Sequence, residues 1–586
     1  MTDRFDRARR QLLAKMISEL TWEELLFPKG HDAYTLTLTS GRIYRFSATR
    51  RIWDNLDIDP GSLSIDEGSA PCPLQFTVDA RNEFGMSPAT EATFLRELSN
   101  TLHQDLELDR MYGTLTAKDL IEQPSRSLHA ALDGHPKAVA NKGRLGWGCD
   151  ALSAYAPEYH KPIQLFWLAV ENGLLRTGRS QEAEEDTVLA SAIGSDAAAE
   201  LHRRSPKSGT YQIIPVHPWQ WRNVVQQAFV AELMTGRIVP LGFHGPDFVA
   251  SPSLRTLTPV NGSPYDVKLS LSILNTSAWR GMPGKYIEHG GAISDWLATT
   301  VENDPVLRNT VLVLREALGH WVEHPLMRQS PEAPYRHHEV LGALWRDNAD
   351  HKVGPGRRAI MAAALFHEGA CGRPLLLAHA EASGLSPEDW LKRLFQVTVM
   401  PLWHFLCRYG VGFIAHGQNV TVVLDKDVPV GMAIKDFQGD LDLVDHDFPE
   451  MAGLDPAIRM LLPRKPPAYI VHDIQTAHFI TVLRFLSAGL ARAGAVKEQV
   501  FYNLLSQVLS DYATEHPDLA ERHRMFDLFA PTMPKVCINR VRFDIGYEDS
   551  AARPLPTRGT DLSNPLNRCP SPQETKAREL PIPPAA

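Results

Sequence analysis

Residues 408–440, RYGVGFIAHGQNVTVVLDKDVPVGMAIKDFQGD, hold the pattern from which the rest of the chain is read. Residues 411–415 are short and apolar, and His416-Gly417-Gln418-Asn419 is a polar elbow with a glycine inside it. Residues 420–424 are β-branched and apolar, 425–431 hold the Asp, Pro and Gly of a turn, and 432–434 are apolar again. A hairpin that pairs 420–424 with 431–435, Leu424 lying near Gly431, sets Asn419 opposite Asp436. His416, Gln418, Asn419, Asp436, Gln438 and Asp440 then gather at one end of one hairpin. A hairpin with no chemistry to do carries Thr, Ser and Lys there. An imidazole, several amides and two carboxylates suit phosphate, a metal or a polar substrate; the plain alternative is a capped polar turn.

A second block, residues 251–280, reads SPSLRTLTPVNGSPYDVKLSLSILNTSAWR. Residues 267–274 alternate as a strand that starts at Lys268 and is followed by Thr276, Ser277 and Arg280. In a hairpin with 253–258, Arg255, Thr256 and Lys268 share a face. Cations with hydroxyl donors suit a triphosphate, whose charge they offset; cations on an exposed edge strand are the alternative. Residues 132–148 contain Asp133-Gly134-His135-Pro136-Lys137 and Asn141-Lys142-Gly143-Arg144, cations among glycines. This reads as a flexible cationic loop able to approach an anion, or as a solvated loop. His217-Pro218-Trp219-Gln220-Trp221 ends a short strand, 211–216; its tryptophans read as packing, and His217 stays a candidate. His337-His338-Glu339 lacks the spacing of a zinc helix and is read as non-metal. His472 and His478 are six apart, read as core, with one of them able to border the site.

With 586 residues the chain has room for several domain-sized units. A net charge of −9 argues against a nucleic-acid partner, which needs a basic face. The six cysteines are too dispersed for a zinc motif or a disulfide framework. The N-terminus lacks an apolar signal core and no run of 18 or more apolar residues stands out, so a cytoplasmic protein without a membrane span is expected. Periodicity predicts helices over 6–26, 90–107, 304–321, 387–409, 469–486 and 499–516. It predicts short strands within 34–78 and a strand over 536–543, and 339–349 and 357–367 read as helical or loop-bound. Proline is frequent from 551, and disorder is expected from 568.

These blocks, with VKLSLSILNTSAWRGMPGKYI, CRYGVGFIAHGQN, KDFQGD and HDIQTAHFITVLRF in order, resemble the IucA/IucC family of NRPS-independent siderophore synthetases. The similarity spans about 9–566 and runs to its aerobactin-type branch. It implies an α+β fold shaped as a cupped hand: a thumb (1–150), fingers (151–335) with phosphate-binding strands, and a palm (336–550), helical around a β-hairpin active-site core. A Pro-rich tail (551–586) follows. It implies adenylation of a carboxylate of citrate or citryl monoamide by ATP with Mg2+, then condensation with a hydroxamate amine and release of AMP and pyrophosphate. In the aerobactin-type case, N6-acetyl-N6-hydroxylysine joins its N2-citryl derivative. A homodimer or higher homo-oligomer is implied as well. Carried over by motif, Ser253, Arg255, Thr256, Lys268 and Arg280 contact the nucleotide phosphates, and Lys142 and Arg144 add thumb cations. His416, Gln418, Asn419 and Asp436 form the palm side, with Asp436 as magnesium ligand. Thr276, Ser277, His416 and Lys535 meet the carboxylate substrate. Catalysis falls to His416, Arg255, Lys268 and Arg280.

Two positions depart from other branches. Ala138-Val139 replaces a second His-Pro pair, and Ile414 replaces a carboxylate before the elbow histidine, leaving Asp440 or Gln438 to complete the ion's shell. Three other functions share parts of this pattern. One is a relative using a different amine. Another is an aminoglycoside-kinase-like phosphotransferase, for which the chain lacks a GxGxxG before the hairpin and has a shorter polar elbow. The third is a non-catalytic citrate or siderophore binder.

Overall fold

The computed structural model describes residues 2–66, 70–206, 209–276, 278–547 and 557–568. Strands Val420–Asp425 and Val428–Ile434 form the expected hairpin, but its turn is only Lys426-Asp427, at φ 48° and 64°. Positive φ at both central residues gives the twist that a two-residue hairpin needs. Val420 pairs with Ile434 and Val423 with Gly431, then Leu424 with Pro429, so the ladder slips at Val430. The register lies one residue from the expected one. The tight turn and a proline that cannot donate to the ladder account for the shift.

Arg357–Met361 pairs antiparallel with one side of the hairpin and Val311–Val313 parallel with the other, completing a four-stranded sheet. These segments correct two readings. The stretch 304–321 is two strands, Val311–Val313 and Glu316–Val322, and 357–367 opens with a strand. Each strand is buried along most of its length, so the apolar run has no period of two to betray it. Helices Pro387–Val397 and Glu498–Glu515 share one core with the hairpin, through Trp390, Phe395, Phe501 and Leu505 against Val422 and Met432. The helical run Pro467–Arg492 has the length and mean hydropathy (1.2) of a membrane span, yet 83% of that window is buried inside the protein.

An eight-stranded antiparallel sheet stands beside this unit. Its order is Leu175–Arg179, Glu316–Val322, Gly342–Asp347, Tyr265–Leu269, Thr256–Pro259, Ile238–Ala250, Ile163–Glu171, Tyr211–Val216. Thr256 pairs directly with Lys268, as the expected hairpin requires. The strand expected over 267–274 breaks at Ser270, and Leu271–Asn275 leaves to pair with Ala278–Arg280. Gly342–Asp347, within a stretch read as helical or loop-bound, is a strand paired with Tyr265–Leu269 and sets Arg346 opposite Asp266. The sheet thus reaches past the boundary read at 335/336, while Val311–Val313 before that boundary joins the hairpin sheet.

The N-terminal helix Thr2–Trp22 packs on Pro88–Tyr112 and on the small sheet built from strands between Lys29 and Ile65, burying Leu13, Met16, Ile17 and Leu20. At the other end, the strand expected over 536–543 is Thr532–Cys537 followed by the helix Asn539–Ile545. Thr557–Ser563, inside the expected tail, pairs with Thr532–Cys537. The disorder expected from 568 falls on residues outside the described ones, apart from Arg568 itself, which closes a short 3-10 turn.

Candidate active site

A cleft between the two large sheets is lined by Ser253, Thr256, Arg346, Gln418, Lys435 and Asp436, among others. The loop before Thr256–Pro259 folds on itself: Ser253 Oγ accepts from the Thr256 amide at 3.1 Å. Leu254 holds φ 69°, with its side chain fully buried among Trp147, Leu271 and Ile273. Burying the leucine offsets a strained backbone at the cleft wall. Arg255 is buried next to it, close enough to Lys268 for their charges to repel.

An ion cluster is built into the cleft wall at Arg346 and Asp436. Lys268 Nζ donates to Asp436 Oδ1 at 2.7 Å, and Arg346 Nη1 donates to the same oxygen at 2.8 Å. Asp436 lies two residues past the hairpin strand at φ 64°, a left-handed conformation uncommon outside glycine. Burial pushes its carboxyl up, but the charges of Arg346, Lys268 and Lys435 outweigh that and hold it well below the usual range. Burial, reinforced by the Arg346 charge, pushes the Lys435 amine down to about 8. Arg346 was not legible as a site residue in the sequence.

The elbow residues come together as expected. Asn419 Nδ2 donates to Asp440 Oδ2 at 3.0 Å and to the Ile414 carbonyl at 3.2 Å. His416 Nδ1 accepts from the Gln418 amide at 3.2 Å, and His478 Nδ1 donates to the Ala415 carbonyl at 2.9 Å. His478 is therefore the helix histidine that borders the site. The Gln438 side chain lies outside the described ones. Gly417 packs on the turn Ala362–Phe366: a Cβ there would meet Ala363 Cβ at 2.9 Å and its backbone nitrogen at 3.0 Å. Gly417→Ala is expected to cost about 1–3 kcal/mol and to lower turnover by moving the elbow, readable as paired losses in Tm and kcat.

A third cluster sits where the loop after Leu271–Asn275 meets the 132–148 loop and the helix Asn539–Ile545. Thr276, at φ 56°, donates its Oγ1 to the Asn275 carbonyl at 2.6 Å and accepts from Arg280 Nη2 at 2.6 Å. Arg542 donates to the Thr276 carbonyl. Ser277 lies outside the described residues. His135 is within electrostatic reach of His416 and Arg280; burial first, then those neighbours, pushes its imidazole down to about 3. Its Nδ1 accepts from the Ala138 amide, so a neutral ring carries its proton on Nε2.

Glu97 lies beneath this cluster, fully buried and hydrogen-bonded by Tyr547, and burial pushes it up to about 7. Between 4.5 and about 7 the folded protein keeps a proton that the unfolded chain has lost, so stability falls as pH rises through that window. Glu97→Gln is expected to gain about 1–3 kcal/mol over the parent at pH 8 and almost nothing at pH 5. Melting curves at both pH values check this, and a larger gain at pH 5 would contradict it.

Three expected site cations do not bring their charge into the cleft. Lys142 Nζ is held by Asp105 at 2.8 Å and Asp133 at 2.6 Å. Arg144 is clamped by Glu158 at 2.5 and 2.9 Å. Both are buried, so the loop is a packed one rather than a flexible anion-seeking one. Lys535 donates to Glu24 at 2.9 Å and lies over the Trp22 ring. His217 is fully buried: its Nδ1 accepts from the Trp219 amide and burial pushes it down to about 3.

Comparison with known proteins shows the family. The chain is 40% identical to an aerobactin synthase of Escherichia coli over 96% of its own length and 98% of that protein. It belongs to the IucA/IucC family. The family's sequence model matches residues 127–367, and a model described as ferric iron reductase FhuF-like transporter matches 388–551, the hairpin half. The structure of aerobactin synthetase IucC from a hypervirulent Klebsiella pneumoniae pathotype superposes with a TM-score of 0.86 at 38% identity, covering 97% of this chain and 99% of that one. The ATP-bound structure of IucA from the same pathotype shares the fold at a TM-score of 0.77 and 17% identity, covering 95% and 99%. The α+β architecture is thus that of the IucA/IucC synthetases.

Proposed function

We propose that this IucA/IucC family member is an AMP-forming acid–amine ligase of siderophore biosynthesis. It adenylates citrate or its citryl monoamide with ATP and joins it to a hydroxamate amine, with N6-acetyl-N6-hydroxylysine and its N2-citryl derivative as the aerobactin-type pair. The observation that carries this reading is the Lys268–Asp436–Arg346 cluster, set between a hydroxyl-rich loop and the elbow.

Attack of a carboxylate oxygen on the α-phosphorus brings two anions together, and pyrophosphate leaves with the electron pair of the broken P–O bond. Lys268, Arg255 and Arg346 offset that repulsion, while Ser253 and Thr256 offer hydroxyls. His416, Gln418 and Asn419 bound the nucleotide from the elbow. Arg280, Thr276 and His135 face the carboxylate, and Ser277 is assigned to it from the sequence alone. In the second step the amine attacks the acyl carbon, and AMP leaves with one former carboxylate oxygen. Among the described residues no group of three His, Cys, Asp or Glu is placed to hold a metal alone. One or two carboxylates, Asp436 and Asp440, fit a magnesium ion that keeps waters and shares the nucleotide's phosphates. When bound, such an ion stabilises charge on the leaving pyrophosphate. In this division the thumb, fingers and palm are 1–150, 151–335 and 336–550, with Gly342–Asp347 on the fingers sheet.

Citrate labelled with 18O in its carboxylates tests the first step. Transfer of one label into AMP is expected; unlabelled AMP, or ADP as product, would overturn the reading.

A further inference from the structure

Lys268 and Arg346 reach Asp436 from adjacent strands of one sheet. Asp266 pairs with Arg346 and Lys268 with Leu344, so Lys268 and Arg346 project from the same face. Asp436 comes from the other sheet and gives both cations one oxygen, at 2.7 and 2.8 Å. The side chains are only 9%, 2% and 15% exposed. A polyphosphate entering alone must break two charge-assisted hydrogen bonds and leave a buried carboxylate with no hydrogen-bonded cation and only the Lys435 charge within reach, a costly outcome for a buried group. A polyphosphate entering with a divalent cation leaves Asp436 with a new partner.

We infer that Asp436 is an internal counter-anion that occupies Lys268 and Arg346 until a divalent cation arrives with the phosphates, and that Arg346 is itself a phosphate-binding residue. This rests on the nucleotide reading of the cleft. Asp436 thus does two things in turn: it keeps the cations ordered and neutralised in the resting protein, and it exchanges them for the ion when the nucleotide binds. Metal dependence of nucleotide affinity is then a property of this carboxylate as well as of ATP.

Calorimetric titration with ATP, in Mg2+ and in EDTA, tests it on the full chain. The parent is expected to bind ATP about tenfold or more weakly in EDTA. Asp436→Asn is expected to narrow that gap, binding metal-free ATP about fivefold or more tightly than the parent does, although its turnover falls. Arg346→Met is expected to weaken both forms about tenfold. Metal-free affinity in Asp436→Asn equal to or below the parent's, or full affinity in Arg346→Met, would overturn the inference. Should Asp436→Asn fail to melt cooperatively, inorganic tripolyphosphate with the parent decides: equal affinity with and without Mg2+ overturns it, and strong Mg2+ dependence supports it. A parent that binds neither form of ATP would instead remove the nucleotide reading itself.

Discussion

Lys268→Met is expected to lower kcat/KM for acyl-adenylate formation by about 10^2–10^3-fold, with the protein still folded. The ammonium lies 2.7 Å from Asp436, which lines the cleft where the proposed reaction brings the attacking carboxylate and the polyphosphate together. Methionine keeps much of the stem's volume and removes the charge. Asp436 is not stranded by the change, because Arg346 still donates to it at 2.8 Å, so the fold has little reason to fail. Pyrophosphate release reads the rate and a melting curve reads the fold. A folded variant with parental kcat/KM would remove Lys268 from the machinery.

Lys142→Ala is expected to destabilise the protein by about 1–3 kcal/mol: the amine is buried, but water still reaches Asp133, which is 58% exposed, and softens the loss. It leaves Asp105 and Asp133 facing each other without the amine that separates them. Burial already pushes Asp105 up, and removing the cation takes away the charge that opposes this. In the folded variant a carboxylate therefore holds a proton that the unfolded chain releases. The deficit should grow as pH rises from 5 to 8. Adding Asp105→Asn should recover part of the loss. If Lys142→Ala melts like the parent yet loses pyrophosphate release, Lys142 is a phosphate cation after all, as the loop's composition suggested.

Much of the site was legible because its chemistry is concentrated locally. His416, Gln418, Asn419, Asp436 and Asp440 lie within 25 residues of one another, and a hairpin brings such residues together whatever its exact register. Thr256 and Lys268 follow the same logic across a short loop. The failures are non-local. Arg346 sits in a strand buried along nearly its whole length, so no alternation marks it, and its partners Lys268 and Asp436 are 78 and 90 residues away. Lys142 and Arg144 look like free cations until Asp105, Asp133 and Glu158 fold against them. Glu24 answers Lys535 from 511 residues away. Local composition shows a charge; only the tertiary fold shows what neutralises it.

The nucleotide product distinguishes an AMP-forming ligase from a kinase most directly. The purified protein would be given ATP, Mg2+, citrate or its citryl monoamide, and a panel of hydroxamate amines. AMP and pyrophosphate in equal amounts, with amide formed for one acid and one amine, is the predicted result. ADP together with a phosphorylated amine would contradict it and assign the hairpin and its cation cluster to phosphoryl transfer.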